Sequence, residues 1–293
     1  MADIPSAEVS IGIGLVRDLL ADQCPSWVGL PLARFAHGWH NELYALGDDL
    51  LVRLPRRRAT APLIDHEAQA LRHLGPRLPL PVPVPLFVGE PGRGYPFGWS
   101  VVPRLTGRPA AAVAVSQRRA AAADLAGFLI DLHRPAPIDA PLNPFRGVPL
   151  AHRRDAWRPQ VLAVAGEAAW EQWLGWAAAP AWPGPPVWVH GDPHPLNLLL
   201  ADDGRLAAVI DWGDVTSGDP ASDLAMAWLG LDSDGLATFG EACAASGRYD
   251  PAIWDRAKAW ALGLASVFVH NSDDQPDLRA IGRHGLDLLT ATG

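Results

Sequence analysis

The stretch "VWVHGDPHPLNLLL" (187–200) is an apolar run that a polar segment interrupts before the apolar run resumes. This alternation predicts a strand, a loop and a second strand. The loop contains four polar side chains that could bind a ligand or take part in catalysis: His190, Asp192, His194 and Asn197. Pro193 and Pro195 restrict the backbone torsions of the loop. The sequence therefore predicts a loop whose polar groups are held in fixed positions.

The segment that follows predicts a partner for this loop. "ADDG" (201–204) is a turn signal, "RLAAVI" (205–210) is a short strand, and Asp211-Trp212-Gly213-Asp214 comes next. Hairpin geometry brings the two loop ends together, so we expect Asp192, Asn197 and Asp211 to converge. Two carboxylates and an amide oxygen are hard ligands, which suit a Mg²⁺ ion that also holds phosphate. The D-x-x-x-x-N spacing followed by apolar-Asp-aromatic-Gly is the arrangement of kinase catalytic and metal-binding loops.

Three motifs, "HGDPHPLN", "IDWGD" and "GDPASDLA", together resemble the aminoglycoside phosphotransferase family, which are antibiotic kinases of protein-kinase-like fold. The resemblance runs from "GWHNELYAL" (38–46) to the C-terminal helices. It implies an α+β, bilobal fold with a small antiparallel-sheet N-lobe and a larger, mainly helical C-lobe. We expect residues 1–102 to form the nucleotide-binding lobe and residues 103–293 the catalytic and substrate-binding lobe.

The resemblance also implies roles for the loop residues. Asp192 contacts the substrate hydroxyl, Asn197 and Asp211 hold Mg²⁺, and His190 braces the loop. A carboxylate of ordinary pKa suffices at position 192, because phosphoryl transfer depends mainly on positioning and charge neutralisation.

Further polar residues near these motifs are expected to support the site. His194 stands four residues after His190, but the prolines forbid a helix with a metal pair, so it is a packing or hydrogen-bonding residue. Asp214 contacts a second metal or substrate, or else caps a turn. Asp219 is expected to cap a helix with Pro220 at its first position, and Asp223 resembles the family's buried structural aspartate.

The nucleotide side rests on an arginine, since the chain has one lysine, Lys258, far downstream. The family needs a cation on the third strand paired with a helix glutamate, and "LLVRLP" (50–55) and "DHEAQALRHL" (65–74) offer Arg53 and Glu67. Gly38 is the candidate phosphate-loop glycine. The backbone window for the base of ATP or GTP comprises Val101, Val102 and Arg104. No GxxxxGK[ST] motif is present, which excludes P-loop chemistry.

The acceptor side is less specific. "HNSDDQPD" (270–277) places His270, Asp273 and Asp274 in an acidic inter-helix loop, which suits a cationic antibiotic or is simply a solvated face. Four tryptophans at near-helical spacing either line a pocket for an apolar acceptor such as a macrolide or belong to the core: Trp157, Trp170, Trp173 and Trp176. Choline, homoserine and sugars are further candidate acceptors.

The remaining pattern predicts helices over 63–75, 116–134 with Ser116 as N-cap, 155–179 with a proline interruption, 220–230, 234–246, 251–270 and 277–291. The segment 78–90 is too proline-rich for a central strand and predicts an extended connector.

Composition limits the function classes. The chain has 293 residues and a formal net charge of −8, which argues against nonspecific nucleic-acid binding. It has no secretory signal or long apolar stretch and only two distant cysteines, so we expect a cytoplasmic monomer or homodimer without a membrane partner. Two other classes stay open. One is a metal-dependent hydrolase using His190, Asp192, His194 and Asp211; the other is a noncatalytic nucleotide-binding module.

Overall fold

The structure is a computed structural model that describes residues 6–37 and 40–290. Contacts divide the chain into two units. Of the described residues, one unit contains 6–77 and 81–105, apart from the two positions outside the description, and the other contains Leu78–Leu80 and 106–290. Among the described residues, no helix is both long and apolar enough to cross a bilayer.

The N-terminal unit is built on a five-stranded antiparallel sheet. Its strands are β1 (Leu32–His37), β2 (Asn41–Leu46), β3 (Leu50–Pro55), β4 (Phe87–Gly89) and β5 (Trp99–Pro103). Their order is β1-β2-β3-β5-β4, so β3 lies at the centre of the sheet. A short turn joins β2 and β3, because a hairpin connection suffices between antiparallel neighbours. This register places Arg53 of β3 opposite Leu43 on one side and Ser100 on the other.

Two helices complete the N-terminal unit: α1 (Ile13–Gln23) and α2 (Pro62–Leu74). Val16, Leu19 and Leu20 of α1 belong to one buried cluster with Val52 and Trp99 of the sheet. The apolar spacing i, i+3, i+4 in α1 explains why this face is buried. The predicted helix over 63–75 is therefore present as α2, with its start and end each one residue earlier.

The proline-rich segment 78–90 contains no helix and no central strand; it bends at 78–80, continues as irregular chain, and forms the short strand β4 at Phe87–Gly89. The strand β4 pairs only with β5 and lies at the sheet edge. An edge position is where a strand next to prolines is tolerated, since one side of the strand needs no ladder of N–H donors.

The C-terminal unit is mainly helical. Its longer helices are α3 (Ala122–Leu132), α4 (Arg154–Ala177), α7 (Ser233–Ala245), α8 (Ile253–Asn271) and α9 (Pro276–Thr290), and two short helices, α5 (Ala221–Leu224) and α6 (Met226–Gly230), precede α7. Its strands are β6 (Arg108–Pro109), β7 (Val187–Val189), β8 (Leu198–Leu200), β9 (Leu206–Val209) and β10 (Thr216–Gly218). The hairpin β8–β9 pairs with β6, while β7 pairs with β10.

Three helix predictions differ from the structure in where a helix begins or breaks. The single helix expected over 220–230 is divided into α5 and α6. The segment 116–134 begins as a 3₁₀ turn at Val115, and Ser116 is not its N-cap, because the Gln117 side chain accepts from the Ala114 N–H and starts the turn earlier. The break in α4 lies at Gly166, where φ is 83°, rather than at Pro159. Glycine adopts this left-handed conformation at little steric cost.

The tryptophans of α4 form the core against α8. Trp157, Trp170 and Trp173 are buried, and Trp170 stacks on Trp173 with ring centroids 4.8 Å apart. Trp157 meets Trp260 of α8 at 5.0 Å in an edge-to-face arrangement, which suits the quadrupoles of aromatic rings. Three of the four candidate pocket tryptophans are therefore core residues. The fourth, Trp176, is half-buried, with Lys258 above its ring.

The close approach of α4 and α8 depends on Gly263. A Cβ atom at this position would lie 2.3 Å from the Trp157 ring. We expect Gly263→Ala to lower the free energy of unfolding by about 1–3 kcal/mol through overpacking. Gly127→Ala in α3 is the matched control, because nothing lies within 4 Å of its Cβ. Alanine there should raise stability by about 0.5–1 kcal/mol. Urea unfolding of both variants checks the opposite signs, and equal effects would contradict this packing.

Candidate active site

The loop between β7 and β8 is shaped first by Gly191. Its φ is 90°, and a Cβ atom there would lie 2.4 Å from the carbonyl oxygen of Asp214. Only glycine fits both the left-handed torsion and this backbone contact. The glycine of the motif therefore brings the Asp192 loop against the loop that follows β9.

The buried carboxylate of Asp223 holds the base of the Asp192 loop. It accepts hydrogen bonds from the backbone N–H groups of His190 at 2.8 Å and Gly191 at 2.9 Å. Its Oδ2 also lies 3.2 Å from Nε2 of His133, whose Nδ1 is 2.8 Å from the Tyr249 hydroxyl. Asp223 is fully buried, and a buried carboxylate is stable only when its oxygens are satisfied in this way.

His190 braces the loop in its neutral form. Its Nδ1 accepts from the Asp192 N–H at 3.2 Å, and its Nε2 lies 3.1 Å from the Ile210 carbonyl. One nitrogen must therefore be unprotonated and the other protonated, which defines the Nε2–H tautomer. Burial lowers the pKa of His190, which outweighs the opposing effect of nearby Asp223 and keeps the ring uncharged. The ring also packs on Trp212 at 4.5 Å between centroids.

Asn197 and Asp211 lie where the hairpin joins the loop. The Asn197 side chain donates through Nδ2 to the Asp192 backbone carbonyl at 2.9 Å, and the Asn197 backbone carbonyl accepts from the Ile210 N–H at 2.9 Å. The Nδ2 bond fixes the amide, so its Oδ1 is the atom left for a cation. Asp211 follows with φ of 61°, a left-handed conformation that is uncommon outside glycine and typical of functional sites. The charge of Asp211 raises the pKa of both His190 and His194, although burial outweighs it at His190. The convergence of the Asp211 carboxylate with Asp192 and Asn197 stays a prediction.

The Asp192 carboxylate has a cation on each oxygen. Nη2 of Arg146 lies 3.3 Å from Oδ1, and Nε2 of His194 lies 3.3 Å from Oδ2. Burial alone would raise the pKa of Asp192, but the charges of His194 and Arg146 outweigh it and hold the pKa well below its usual range. For His194, burial is likewise outweighed by Asp192, and the pKa of His194 is raised. The two groups therefore form an ion pair near neutral pH.

Arg146 and Asn143 are the members of this site that sequence reasoning missed. Arg146 also reaches Oδ2 of Asp214 at 3.1 Å, and Asn143 donates to Oδ1 of Asp214 at 2.9 Å. Both residues lie in the connection between α3 and α4, far from the recognisable motifs in sequence. The only signal was an Arg-Gly pair in a proline-containing connection, which marks a turn and no chemistry.

Asp219 has a larger structural role than a cap. The helix begins one residue later than predicted, at Ala221, with Pro220 rather than Asp219 as its N-cap. The Oδ1 atom of Asp219 nevertheless accepts from the Ala221 N–H at 3.0 Å. Its Oδ2 also pairs with Arg256 at 2.7 Å, and Arg256 pairs with Asp250 at 2.6 Å. Arg256 is buried, so these two carboxylates neutralise a charge inside the helical unit.

In the N-terminal unit, the expected ion pair between Arg53 and Glu67 is present. Both side chains are buried, and Nη1 of Arg53 bonds directly to Oε1 of Glu67. The β3 strand and α2 therefore hold the guanidinium in a fixed position. Its role toward nucleotide phosphates stays a prediction.

The other nucleotide-side residues have mixed outcomes. Val101 and Val102 are buried in β5, and the Val101 carbonyl already accepts from the Leu86 N–H at 2.8 Å. Arg104 donates its backbone N–H to the Asp49 carbonyl at 2.7 Å and places its guanidinium 4.9 Å from the Phe35 ring centroid. Gly38 lies outside the described residues.

The acidic loop is partly neutralised. Asp273 pairs with Arg279 at 2.9 Å, and Asp273 and Asp274 are exposed. His270 is exposed near the end of α8. The same helix contacts the loop through Phe268, whose ring meets that of His194 at 5.6 Å. The structure thus places α8 beside the Asp192 loop, while acceptor binding by the acidic loop stays a prediction.

Within residues 6–37 and 40–290, no group of three or more His, Cys, Asp or Glu side chains could hold a metal ion. Both ring nitrogens of His190 are already engaged, and His194 pairs with Asp192. Both histidines proposed as ligands of a hydrolase therefore already make contacts inside the loop, His190 through both nitrogens and His194 through Nε2.

The strand–loop–hairpin site in a mainly helical unit, together with an antiparallel sheet carrying an Arg–Glu pair, defines a kinase-like phosphotransferase. The model of the phosphotransferase enzyme family matches residues 31–260, which is most of the chain. The chain belongs to this family, and the resemblance read from its motifs is confirmed. A curated relative, an uncharacterized protein of Bacillus subtilis (YcbJ), is 38% identical over 58 residues, which cover 20% of this chain and 19% of that protein.

Solved structures share the fold. The GDP complex of wild-type aminoglycoside 2'-phosphotransferase-IIIa superposes with a TM-score of 0.71 at 16% identity, covering 96% of this chain and 99% of that one. The GDP and kanamycin complex of an APH(2") enzyme superposes with a TM-score of 0.70 at 16% identity, covering 95% of this chain and 99% of that one. The apoenzyme of a macrolide 2'-phosphotransferase from Brachybacterium faecium superposes with a TM-score of 0.63 at 24% identity, covering 93% of this chain and 98% of that one. The predicted α+β, protein-kinase-like fold is therefore confirmed.

The three donors on Asp223 generate a prediction for stability. In Asp223→Asn, an amide NH2 group replaces one carboxylate oxygen and cannot accept a hydrogen bond, so a buried backbone N–H of the loop loses its partner. We expect the free energy of unfolding to fall by about 2–4 kcal/mol, measured by urea denaturation. Asp202→Asn is the control, since Asp202 is exposed in the turn before β9. An equally small effect of both changes would show that Asp223 does not anchor the loop.

The Asp192–His194 pair generates a prediction for pH. The raised pKa of His194 means that the stability from this pair is complete below the ordinary histidine pKa of 6.5 and is lost as pH rises through the raised pKa. The lowered pKa of Asp192 means that stability is complete above 3.8 and is lost as pH falls through the lowered pKa. We therefore expect the stability difference between wild type and His194→Gln to be largest between these values and to shrink at alkaline pH. A difference that grows with rising pH would contradict the ion pair.

Proposed function

We propose that this protein transfers the γ-phosphoryl group of ATP or GTP to a hydroxyl of a small molecule, with an antibiotic as the leading acceptor class. The observation that carries the proposal is the Asp192 carboxylate, held at both oxygens in a loop that Asp223 and His190 fix. Membership of the phosphotransferase family supports the reaction type.

Asp192 acts on the acceptor. Its carboxylate accepts a hydrogen bond from the acceptor hydroxyl, which remains feasible beside Arg146 and His194 because a carboxylate has about four lone-pair positions. The hydroxyl oxygen then bonds to the γ-phosphorus while the bond to the β–γ bridging oxygen breaks, and the hydroxyl proton passes to Asp192. The lowered pKa makes Asp192 a weak base, which fits a loose transition state in which the proton moves late.

Asn197 and Asp211 offer an amide oxygen and a carboxylate, the hard donor set that Mg²⁺ prefers, and the fixed Asn197 amide fits this role. Bound there, Mg²⁺ would neutralise phosphate charge. Asn197 adds an oxygen ligand without adding negative charge. Asp211 follows the hairpin and has a left-handed backbone conformation.

The N-terminal unit supplies Arg53 in place of a lysine. A guanidinium can bind phosphate oxygens through two parallel N–H groups, and the ion pair with Glu67 holds this guanidinium in a fixed position. Arg53 is thus proposed to bind the nucleotide phosphates. Two structural neighbours are GDP complexes, which supports nucleotide use.

The acceptor class rests on fold neighbours and on charge. One neighbour was solved with kanamycin and another is a macrolide 2'-phosphotransferase, so both antibiotic classes belong in the first screen. Pairing of Asp273 with Arg279 weakens the acidic surface that a polycation would use. We place the reaction in the cytoplasm, where nucleoside triphosphates are available.

The test is acceptor-dependent release of ADP or GDP across aminoglycosides, macrolides and small alcohols. Wild-type protein should release diphosphate with at least one acceptor. We expect Asp192→Asn to slow release about 10²–10⁴-fold, since the amide cannot take the proton. Asp202→Asn should behave as wild type. ATP–Mg²⁺ binding without turnover on any acceptor would instead favour a noncatalytic nucleotide-binding module.

A further inference from the structure

The segment Asn143–Gly147 carries Arg146 and is fixed by its backbone. The Asn143 N–H donates to Oγ1 of Thr216 at 2.9 Å, and the Gly147 carbonyl accepts from the Asp219 N–H at 2.9 Å. Gly147 also touches Gly218, where a Cβ atom would lie 2.0 Å from the Gly147 oxygen. Both sides of Arg146 are therefore attached to β10 or its end, independently of the arginine's own ion pairs.

The guanidinium of Arg146 bridges two carboxylates through one nitrogen. Nη2 lies 3.1 Å from Oδ2 of Asp214 and 3.3 Å from Oδ1 of Asp192. The other oxygen of Asp214 takes the Asn143 amide at 2.9 Å, so Asp214 is itself held in place. The contacts form a continuous series from Asn143 through Asp214 and Arg146 to Asp192. The side chain of Arg146 is only 16% exposed, so solvent weakens these contacts little.

The orientation of an aspartate carboxylate depends on two side-chain torsions. A contact to one of its oxygens alone leaves the carboxylate able to rotate. Asp192 has a contact on each oxygen, Arg146 on Oδ1 and His194 on Oδ2. A cation beside a proton acceptor reduces its basicity, which by itself would slow transfer. Orientation of the carboxylate is the compensating gain, because phosphoryl transfer depends on positioning.

We propose that Arg146 is a positioning residue that fixes the Asp192 carboxylate in the orientation that receives the acceptor hydroxyl, and that Asp214 and Asn143 fix Arg146. This inference rests on the proposed function. Asp214 then acts through Arg146 on Asp192, in place of the metal, substrate or capping roles expected from the sequence.

The kinetic experiment compares Arg146→Gln and Arg146→Lys with the wild type, using the best acceptor from the screen and ATP–Mg²⁺ or GTP–Mg²⁺. Arg146→Gln should lower kcat about 10- to 100-fold, the effect of a misplaced reacting group. KM for the nucleotide should change by less than about threefold, because Arg146 is not proposed to bind it. Arg146→Lys keeps the charge but lacks the planar fork, so its kcat should lie between the two.

Arg154→Gln is the matched control. Arg154 begins α4 after the same connection, is exposed, and forms no ion pair among the described residues. Its kcat should equal that of the wild type. Melting curves of all variants show whether each is folded.

If Arg146→Gln does not fold, Asp214→Asn takes its place, since it removes the charge that holds Arg146 while leaving Arg146 to neutralise Asp192. It should lower kcat with KM for the nucleotide unchanged. Wild-type turnover together with unchanged kcat in Arg146→Gln, or in Asp214→Asn where that variant is used, would overturn this inference alone. A kcat of Arg146→Lys no higher than that of Arg146→Gln would also overturn this inference. No turnover by wild-type protein with any acceptor would overturn the proposed function, and this inference with it.

Discussion

The carboxylate of Asp223 is the interaction on which the rest of the site depends. It is fully buried, and it accepts from two consecutive backbone N–H groups at the point where β7 becomes the Asp192 loop. A loop that turns through a left-handed glycine cannot satisfy those N–H groups within a strand ladder, and unpaired buried N–H groups would cost free energy. The same carboxylate contacts His133 at the end of α3, so the helical core and the loop share one anchor.

Much of the fold and the site could be predicted from the sequence, because local patterns and family motifs coincide there. The hairpin β8–β9, the pairing of Arg53 with Glu67 and the placement of Asp223 follow from residues whose spacing or motif is visible in the chain. Arg146 could not be found this way, since its contact with Asp192 joins segments far apart in sequence through the Gly147–Gly218 contact. The 3₁₀ start near Val115 and the break at Gly166 were also missed, because a local side-chain bond and a glycine torsion decided them.

Arginine replaces lysine almost throughout this chain, and the consequence is structural as well as electrostatic. Buried or half-buried guanidinium groups at positions 53, 146 and 256 each contact at least one carboxylate, and two of them bridge a pair. A guanidinium presents several donors in one plane and stays charged when buried, so it can connect separate elements of a fold where an ammonium would serve as a point charge. The two histidines of the loop differ in charge. Burial lowers the pKa of His190 and keeps its ring neutral, whereas Asp192 raises the pKa of His194 and favours its charged form.

The backbone contacts of the segment Asn143–Gly147 have a consequence for how this enzyme could diversify. Ile138, Leu142 and Phe145 in the same connection are exposed, whereas the contacts with β10 and the residue after it use main-chain atoms, the Thr216 hydroxyl and glycines. Substitution of the exposed side chains therefore leaves the support of Arg146 intact. The connection therefore has an inner side held by main-chain atoms and glycines and an outer surface whose side chains can change without altering the geometry around Asp192.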